Sequence, residues 1–262
     1  MKVRVLGCHG SAQLVEGECG PVPCGTCGFL VNDSVVVDAG TIGSRLYLDE
    51  QRRIRVVLLT HLHFDHLREL PTLADNLVGE TDAPVIIASI PEVLEGLRKH
   101  VFNGAVYPDF FRLPAPDRPV LTMHALQPGR EDRLADLGVT PIRVNHVVPT
   151  VGFLLRDGHR TLLYSGDTYV TDELWRVAKV EAGLAAAFIE TSFPNELDDL
   201  ARAAKHLTPQ LLAGELAKLD RPQVPVYAYH LKPRFRERIG QELKDLGIEG
   251  LSVLEEGQTL LL

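Results

Sequence analysis

The chain has 262 residues, 45% of them hydrophobic and 24% charged, with a formal net charge of −8. That is enough apolar material for a large buried core, and sandwich-type folds of this length are often single domains, so residues 1–262 are read as one domain without a linker or repeat. The acidic balance argues against a broad nucleic-acid surface, which would be basic. No run approaches the ~18 apolar residues that span a membrane, and Met1 to Leu6 enters a strand without a leader's apolar segment, so a cytoplasmic protein acting on a small molecule is expected.

Val3 to Leu6 is the first strand-like run. Cys8, Cys19, Cys24 and Cys27 follow, the last three in C-x₄-C-x₂-C spacing. They read either as reduced thiols in a loop-rich hairpin of a cytosolic chain or as a structural zinc site on three or four thiolates, with a histidine such as His9, because Cys-x₂-Cys is a common zinc knuckle. An iron–sulfur pattern fits poorly, since the spare cysteine lies upstream. Phe29 to Val31 and Val35 to Val37 are further strands. The second runs into Asp38, either a turn cap or a carboxylate that orients a metal-bound imidazole from behind.

Val56 to Leu59 leads into Thr60-His61-Leu62-His63-Phe64-Asp65-His66, four ligand-type side chains within six residues. A hydrogen-bonded core has no use for that density of imidazole and carboxylate, whereas metals select it. His61 and His63 share a parity and can grip one ion, while Asp65 and His66 lie further around the turn and suit a second. Such a site needs ligands from elsewhere. His146 lies in the alternating run Ile142 to Val147, Asp167 follows the strand Thr161 to Tyr164 and can bridge two cations, and His230 ends the run Val224 to Tyr229.

Val85 to Ala88 is another strand. Beyond it Phe102, Tyr107, Phe110 and Phe111, among Pro108, Pro114 and Pro116, form the only aromatic- and proline-rich stretch. Core or dimer packing is the favoured use of most of these rings, with a cap that stacks on a base as the alternative; Asn103 and Tyr107 are its candidate substrate contacts. Thr208 and Pro209 suit the N-cap and first residue of a helix to about Leu219. His206, just before it, either reaches into the site or bonds a carbonyl at the surface. Of Lys232, Arg234 and Arg236, Lys232 is the candidate to meet a phosphate. His9, His100, His124 and His159 show no ligand-like spacing of their own.

The series H-x-H-x-D-H, then His146, Asp167 and His230, resembles the metallo-β-lactamase superfamily over almost the whole chain. The resemblance implies an α/β fold, the αββα four-layer sandwich, with two divalent metal ions along one edge. It assigns His61, His63 and His146 to the first, Asp65, His66 and His230 to the second, and Asp167 as the bridge. Zn²⁺ is the first expectation, with Mn²⁺ or Fe accepted by the same ligands. The segment Val101 to Phe110, Ser192-Phe193-Pro194-Asn195, His206-Leu207-Thr208-Pro209 and Tyr229-His230-Leu231-Lys232-Pro233 are similar to stretches of class II cyclic-nucleotide phosphodiesterases. The chain departs from that family in its cysteine-rich hairpin, in Phe64 where leucine is common, and in Glu69 where a small residue is common.

Hydrolysis of a 3′,5′-cyclic phosphodiester needs a nucleophile at neutral pH, charge stabilisation on phosphoryl oxygens and a proton for the departing alkoxide. Paired ions supply the first two, Asp65 can orient the attacking hydroxide, and His206 is the candidate general acid. Competing readings are a tRNA 3′-processing-like nuclease, which predicts a basic arm; a phosphonate-pathway cyclic phosphodiesterase with a cysteine-bound zinc; a lactamase, lactonase or thioester hydrolase, which does not need the His206 motif; and a non-catalytic metal-bearing protein, which predicts a lost ligand. The choice between cAMP and cGMP stays open.

Overall fold

The β-branched runs become strands, and their alternation decides what each strand covers. This computed structural model, which describes residues 1–17 and 20–262, contains two seven-stranded sheets. The first is ordered Leu121–Ala125, Val85–Ser89, Val56–Leu58, Val35–Val37, Gly28–Val31, Lys2–Gly7 and Thr259–Leu261. Its first four strands are parallel and the rest antiparallel. The second is ordered Asp132–Leu134, Leu137–Arg143, Val151–Asp157, Arg160–Tyr164, Leu184–Glu190, Val226–Tyr229 and Leu251–Val253. Here the antiparallel pairs come first and the last four strands are parallel.

Side chains two apart on a strand share a face. Along Leu184–Glu190, Ala186 and Phe188 join the core between the sheets, while Ala187 and Ile189 point to an outer core. There they meet Leu174 and Trp175 of helix Glu173–Val180, Leu212 and Leu219 of helix Pro209–Leu219, and Ile239 and Leu243 of helix Arg236–Asp245. Helices Leu70–Asn76 and Pro91–His100 pack their apolar residues against the first sheet. The result is the αββα sandwich. Its centre is a ring cluster: Phe29 lies 5.3 Å from Tyr164, 5.7 Å from Phe188 and 5.6 Å from Tyr229, and Tyr164 stacks on Tyr229 at 4.9 Å.

Two local readings meet their outcome here. The Thr208 hydroxyl accepts the Leu211 amide at 3.3 Å and Pro209 opens a helix that runs to Leu219, as its capping residues require. The alternating run at Ile142 to Val147 is not all strand. The strand ends at Arg143, because the chain turns on Asn145, whose side chain donates to the Val170 carbonyl at 2.9 Å and whose own carbonyl accepts the Tyr169 amide at 2.8 Å. His146 is therefore delivered by a loop. The aromatic stretch packs: Phe102 and Phe110 are buried in the central cluster, with Tyr107 and Phe111 against it. Among the described residues, no helix is long and apolar enough to cross a membrane.

Phe29 touches three other rings, so Phe29→Ala opens a cavity that both sheets must close around. The expected cost is about 3–5 kcal/mol, read from the shift of the denaturant midpoint at unchanged slope.

Candidate metal centre

Parallel strands place their carboxyl ends at one edge of a sheet, and here both sheets contribute. Val35–Val37 ends at Asp38, Val56–Leu58 leads to His61, Arg160–Tyr164 leads to Asp167, Leu184–Glu190 ends on Glu190 itself, and Val226–Tyr229 ends at His230. Glycines permit the closeness. A Cβ on Gly40 would lie 1.9 Å from the Asp65 carbonyl oxygen, and one on Gly10 would lie 2.9 Å from His230 Nδ1. The segment around Gly10 is laced to the His230 loop, because the His230 amide donates to the Cys8 carbonyl at 2.7 Å and the Gly10 amide to the Leu231 carbonyl at 3.2 Å.

His61, His63, His146 and Asp167 bring one ligand atom each within 4.8 Å of one another. Beside them His66 Nε2 lies 3.2 Å from Asp167 Oδ1, and His230 Nε2 lies 3.5 Å from Asp167 Oδ2 and 3.3 Å from Asp65 Oδ2. Asp167 thus sits between two groups of imidazoles. The outward ring nitrogens are engaged by the protein: His61 Nδ1 with Thr60 Oγ1 at 2.9 Å, His66 Nδ1 with Asp38 Oδ2 at 2.7 Å, His146 Nδ1 with the Lys205 carbonyl at 3.0 Å, and His230 Nδ1 with Ser192 Oγ at 2.8 Å. Backing of this kind fixes the ring and leaves the inward nitrogen as a lone-pair donor.

Protein atoms alone do not satisfy the inner face. His61 Nε2 and Asp167 Oδ1 are buried without a hydrogen-bond partner. Two pairs of ring nitrogens face each other at 3.2 Å, His66 Nε2 with His230 Nε2 and His63 Nδ1 with His146 Nε2. Lone pairs meeting at that distance repel unless a proton or a cation lies between them, so the donor set fits divalent metal.

The electrostatics run the same way. Burial, together with the charge of His66, holds the His61 imidazole well below its ordinary range, and burial brings His146 down to about 4. Both therefore offer neutral nitrogens at pH 7. Burial works against the charged form of His66 too, but the carboxylates of Asp167 and Asp38 outweigh it and raise that imidazole well above its usual value. Asp167 and Asp65 are likewise disfavoured by burial yet held low, Asp167 by the charges of His230 and His66 and Asp65 by the His230 ring N–H and the same two charges.

Asp38 has the role of steadying an imidazole from behind. Fully buried at a left-handed φ of 55°, it accepts from the Thr60 amide at 2.9 Å, the Thr60 hydroxyl at 3.0 Å, His66 Nδ1 at 2.7 Å and the Tyr164 hydroxyl at 2.8 Å. His206 is buried rather than a surface residue, its ring 5.1 Å from His146 and 5.4 Å from His230. Its Nδ1 donates to Glu190 Oε1 at 2.7 Å, and Glu190, fully buried, also accepts from the Thr168 amide at 3.1 Å and Ser192 Oγ at 3.0 Å. Burial opposes the charged form of His206, but Glu190 raises it above the ordinary imidazole range.

Lys232 reaches the same place, with Nζ 3.9 Å from Asp65 Oδ2 and bonded to the Gly10 carbonyl. Asn103 and Tyr107 make no hydrogen bond to these donors among the described residues. The Asn103 side chain closes its own turn, accepting from the amides of Ala105 and Val106 at 2.9 and 2.8 Å, and Tyr107 packs 6.3 Å from Phe102. The unusual Glu69 ties down the loop beside Gly40, accepting the Ile42 amide at 2.7 Å and the Ser44 hydroxyl at 2.7 Å. Cys8 and Cys24 are buried but join no donor cluster among the described residues, Cys27 lies with His66 and His230, and Cys19 falls outside the described residues. Thr60, Ser192 and Glu190, which bond the ring nitrogens of His61, His230 and His206, are not singled out by sequence spacing; only the capacity of each to bond a ring nitrogen marks them.

The family model of the beta-lactamase superfamily domain matches residues 34–227. The chain belongs to the beta-lactamase superfamily. A protein from the fission yeast Schizosaccharomyces pombe, a 3′,5′-cyclic-nucleotide phosphodiesterase, is 26% identical over 208 residues, which cover 72% of this chain and 57% of that relative. The chain thus spans little more than half the length of that relative. Among solved structures of the superfamily fold, unliganded yeast PDE1 superposes with a TM-score of 0.81 at 18% identity, covering 100% of this chain and 99% of that one. YhfI of Bacillus subtilis, a metallo-beta-lactamase fold protein, gives a TM-score of 0.77 at 18% identity over 99% of both chains. The superfamily fold implies divalent metal, and the donors described above fit it.

Asp38→Asn removes the negative charge behind His66 and leaves one acceptor oxygen for four donors. Metal affinity is expected to fall roughly 10- to 100-fold, measured by competition with a chelator, while the sheets stay folded by circular dichroism.

Proposed function

We propose that the protein is a phosphodiesterase that hydrolyses 3′,5′-cyclic nucleotides, cAMP or cGMP, to 5′-nucleotides with two divalent ions, Zn²⁺ being the best match to so many imidazoles. His61, His63 and His146 would hold one ion, Asp65, His66 and His230 the other, and Asp167 both. The observation that carries the reading is the buried Glu190–His206 pair beside the metal donors, with His206 Nδ1 and Glu190 Oε1 2.7 Å apart. A departing ribose alkoxide needs a proton, and an imidazole biased toward its protonated form beside the donors can give it one. The name of the fission-yeast relative supports the same substrate class. A small-molecule diester rather than a long nucleic acid agrees with the formal charge of −8, and a cytoplasmic location is part of the same proposal.

Paired ions, when bound, activate water and neutralise charge on the phosphoryl oxygens. The chain supplies the rest. His206, kept protonated by Glu190, gives its Nε2 proton to the leaving 3′-oxygen. Ser192, bonded to both Glu190 and His230 Nδ1, keeps acid and donor cluster in register. Asp65 accepts a hydrogen bond on the side where water attacks, and Lys232 faces the phosphate with a positive charge. Phe102 is used up in the core, and Tyr107, partly buried against it, is the ring of that stretch left to meet a base or a second subunit.

Protein of known metal content should hydrolyse 3′,5′-cAMP or 3′,5′-cGMP faster than 2′,3′-cAMP, bis(p-nitrophenyl) phosphate, a β-lactam or a lactone. Preference for the lactam or lactone would defeat the reading. His206→Ala is expected to keep its metal and lose about 10²- to 10⁴-fold in kcat; an unimpaired variant would remove His206 from the chemistry. In Glu190→Gln the charge that raises His206 is gone, so the acid deprotonates at lower pH. The alkaline limb of the kcat–pH profile should move to lower pH, and an unmoved limb would mean another group sets it.

A further inference from the structure

Cys27 differs from the other described cysteines in its surroundings. Cys8, Cys24 and Cys27 are all buried, and buried cysteine usually behaves as a small apolar side chain. Cys8 Sγ meets the Leu254 carbonyl at 3.4 Å and His9 Nδ1 at 4.0 Å, but among the described cysteines Cys27 is the one set against the metal donors. Its Sγ and one ring nitrogen each of His66 and His230 lie within 4.8 Å of one another, and all three side chains are fully buried. The backbone holds it there: the Cys27 carbonyl accepts the Gly40 amide at 2.8 Å, and Gly40 is the residue whose missing side chain lets the Asp65 carbonyl approach. The hairpin end and the H-x-H-x-D-H loop are thus locked face to face. The thiol itself has only a long contact, 3.9 Å, to the His9 carbonyl.

Independent features of the same spot point to a cation. His66 and His230 turn their Nε2 atoms toward each other at 3.2 Å, each with its Nδ1 already committed, to Asp38 and to Ser192. Asp167 Oδ1, 1% exposed as a residue and 3.2 Å from His66 Nε2, has no hydrogen-bond partner. Two imidazole nitrogens, an unpartnered carboxylate oxygen and a sulfur make a donor set of mixed softness.

We propose that Cys27 is a thiolate ligand of the second ion, alongside Asp65, His66, His230 and Asp167. The inference rests on the two-ion reading above and adds to it a metal preference. On binding, the thiol proton passes to solvent and the sulfur–metal bond forms. Thiolate favours zinc or cobalt over manganese or magnesium, whereas the first position, with three imidazoles and the Asp167 carboxylate, discriminates less. Cys27 would then decide which metal the second position keeps.

X-ray absorption at the zinc edge of protein loaded with two equivalents of Zn²⁺ tests this without relying on activity. A sulfur shell at ~2.3 Å is expected beside the nitrogen and oxygen shell at ~2.0–2.1 Å. The sulfur shell should vanish in Cys27→Ser and persist in Cys24→Ser. Its absence from the wild-type protein, or its persistence in folded Cys27→Ser, would overturn the assignment. Should Cys27→Ser fail to fold, the variant C8S/C19S/C24S leaves Cys27 as the sole thiol; a retained sulfur shell then supports the assignment and a lost one overturns it. Two bound zinc ions with phosphodiesterase activity but no sulfur would sink only the cysteine ligand. Failure to bind zinc at all would sink both readings.

Discussion

The Asp38 carboxylate, fully buried, is the group on which both the fold and the site depend. A charge placed there is tolerable only if its lone pairs are filled, and four donors fill them: the Thr60 amide and hydroxyl, the His66 ring and the Tyr164 hydroxyl. These donors come from different layers. Thr60 lies in the loop after a strand of the first sheet, His66 in the short helix Phe64–Leu67 that follows it, and Tyr164 ends a strand of the second. One carboxylate therefore spans the sandwich, pins the aromatic cluster of Tyr164, Tyr229 and Phe29, and sets the ring of His66. The left-handed backbone at Asp38 is the local cost of turning the side chain back under the loop.

Above that anchor the chemistry follows from charge balance. Asp65 and Asp167 keep their negative charge because imidazoles surround them. His61 and His146 stay neutral because burial forbids more positive charge from protein groups. A cluster so arranged has acceptors in excess of donors on its inner face, and cations complete it. His206 differs from those two: tied to Glu190 rather than to the inner face, it is raised above the ordinary imidazole range. Separate treatment of imidazoles a few ångströms apart leaves one edge of the sandwich with lone pairs that fit metal and, beside them, an imidazole biased toward its protonated form.

The strands and the donors were legible in the sequence to different depths. Val35 to Val37 and the H-x-H-x-D-H loop can be read locally, since alternation and ligand density are short-range signals. The convergence of His146, Asp167 and His230 came from their order, by resemblance to a superfamily, and no periodicity would have joined them. His146 shows the limit, because its alternating surroundings read as strand while Asn145 bends the chain. What backs the donors was harder to see. Thr60 is 22 residues from Asp38, Tyr164 is 126 from it, and Ser192 is 38 from His230. Pairings at such separations are made by tertiary structure alone. Cys27 was read with its hairpin neighbours, on spacing, and the fold instead sets it against histidines far along the chain.

The bond from the His230 amide to the Cys8 carbonyl has a consequence for synthesis. Residues near 8 leave the ribosome early and residues near 230 leave late, so the strap that holds His230 is made long before the histidine it holds. The first sheet is in the same position, since Thr259–Leu261 pairs with Lys2–Gly7. Domains generally fold as units, N-terminal parts first as they emerge, yet here an early strand waits with an unpaired edge, and neighbouring thiols and imidazoles without their partners, until nearly all the described chain has been made. Protection of that edge during translation, rather than stability afterwards, is where this topology is most exposed.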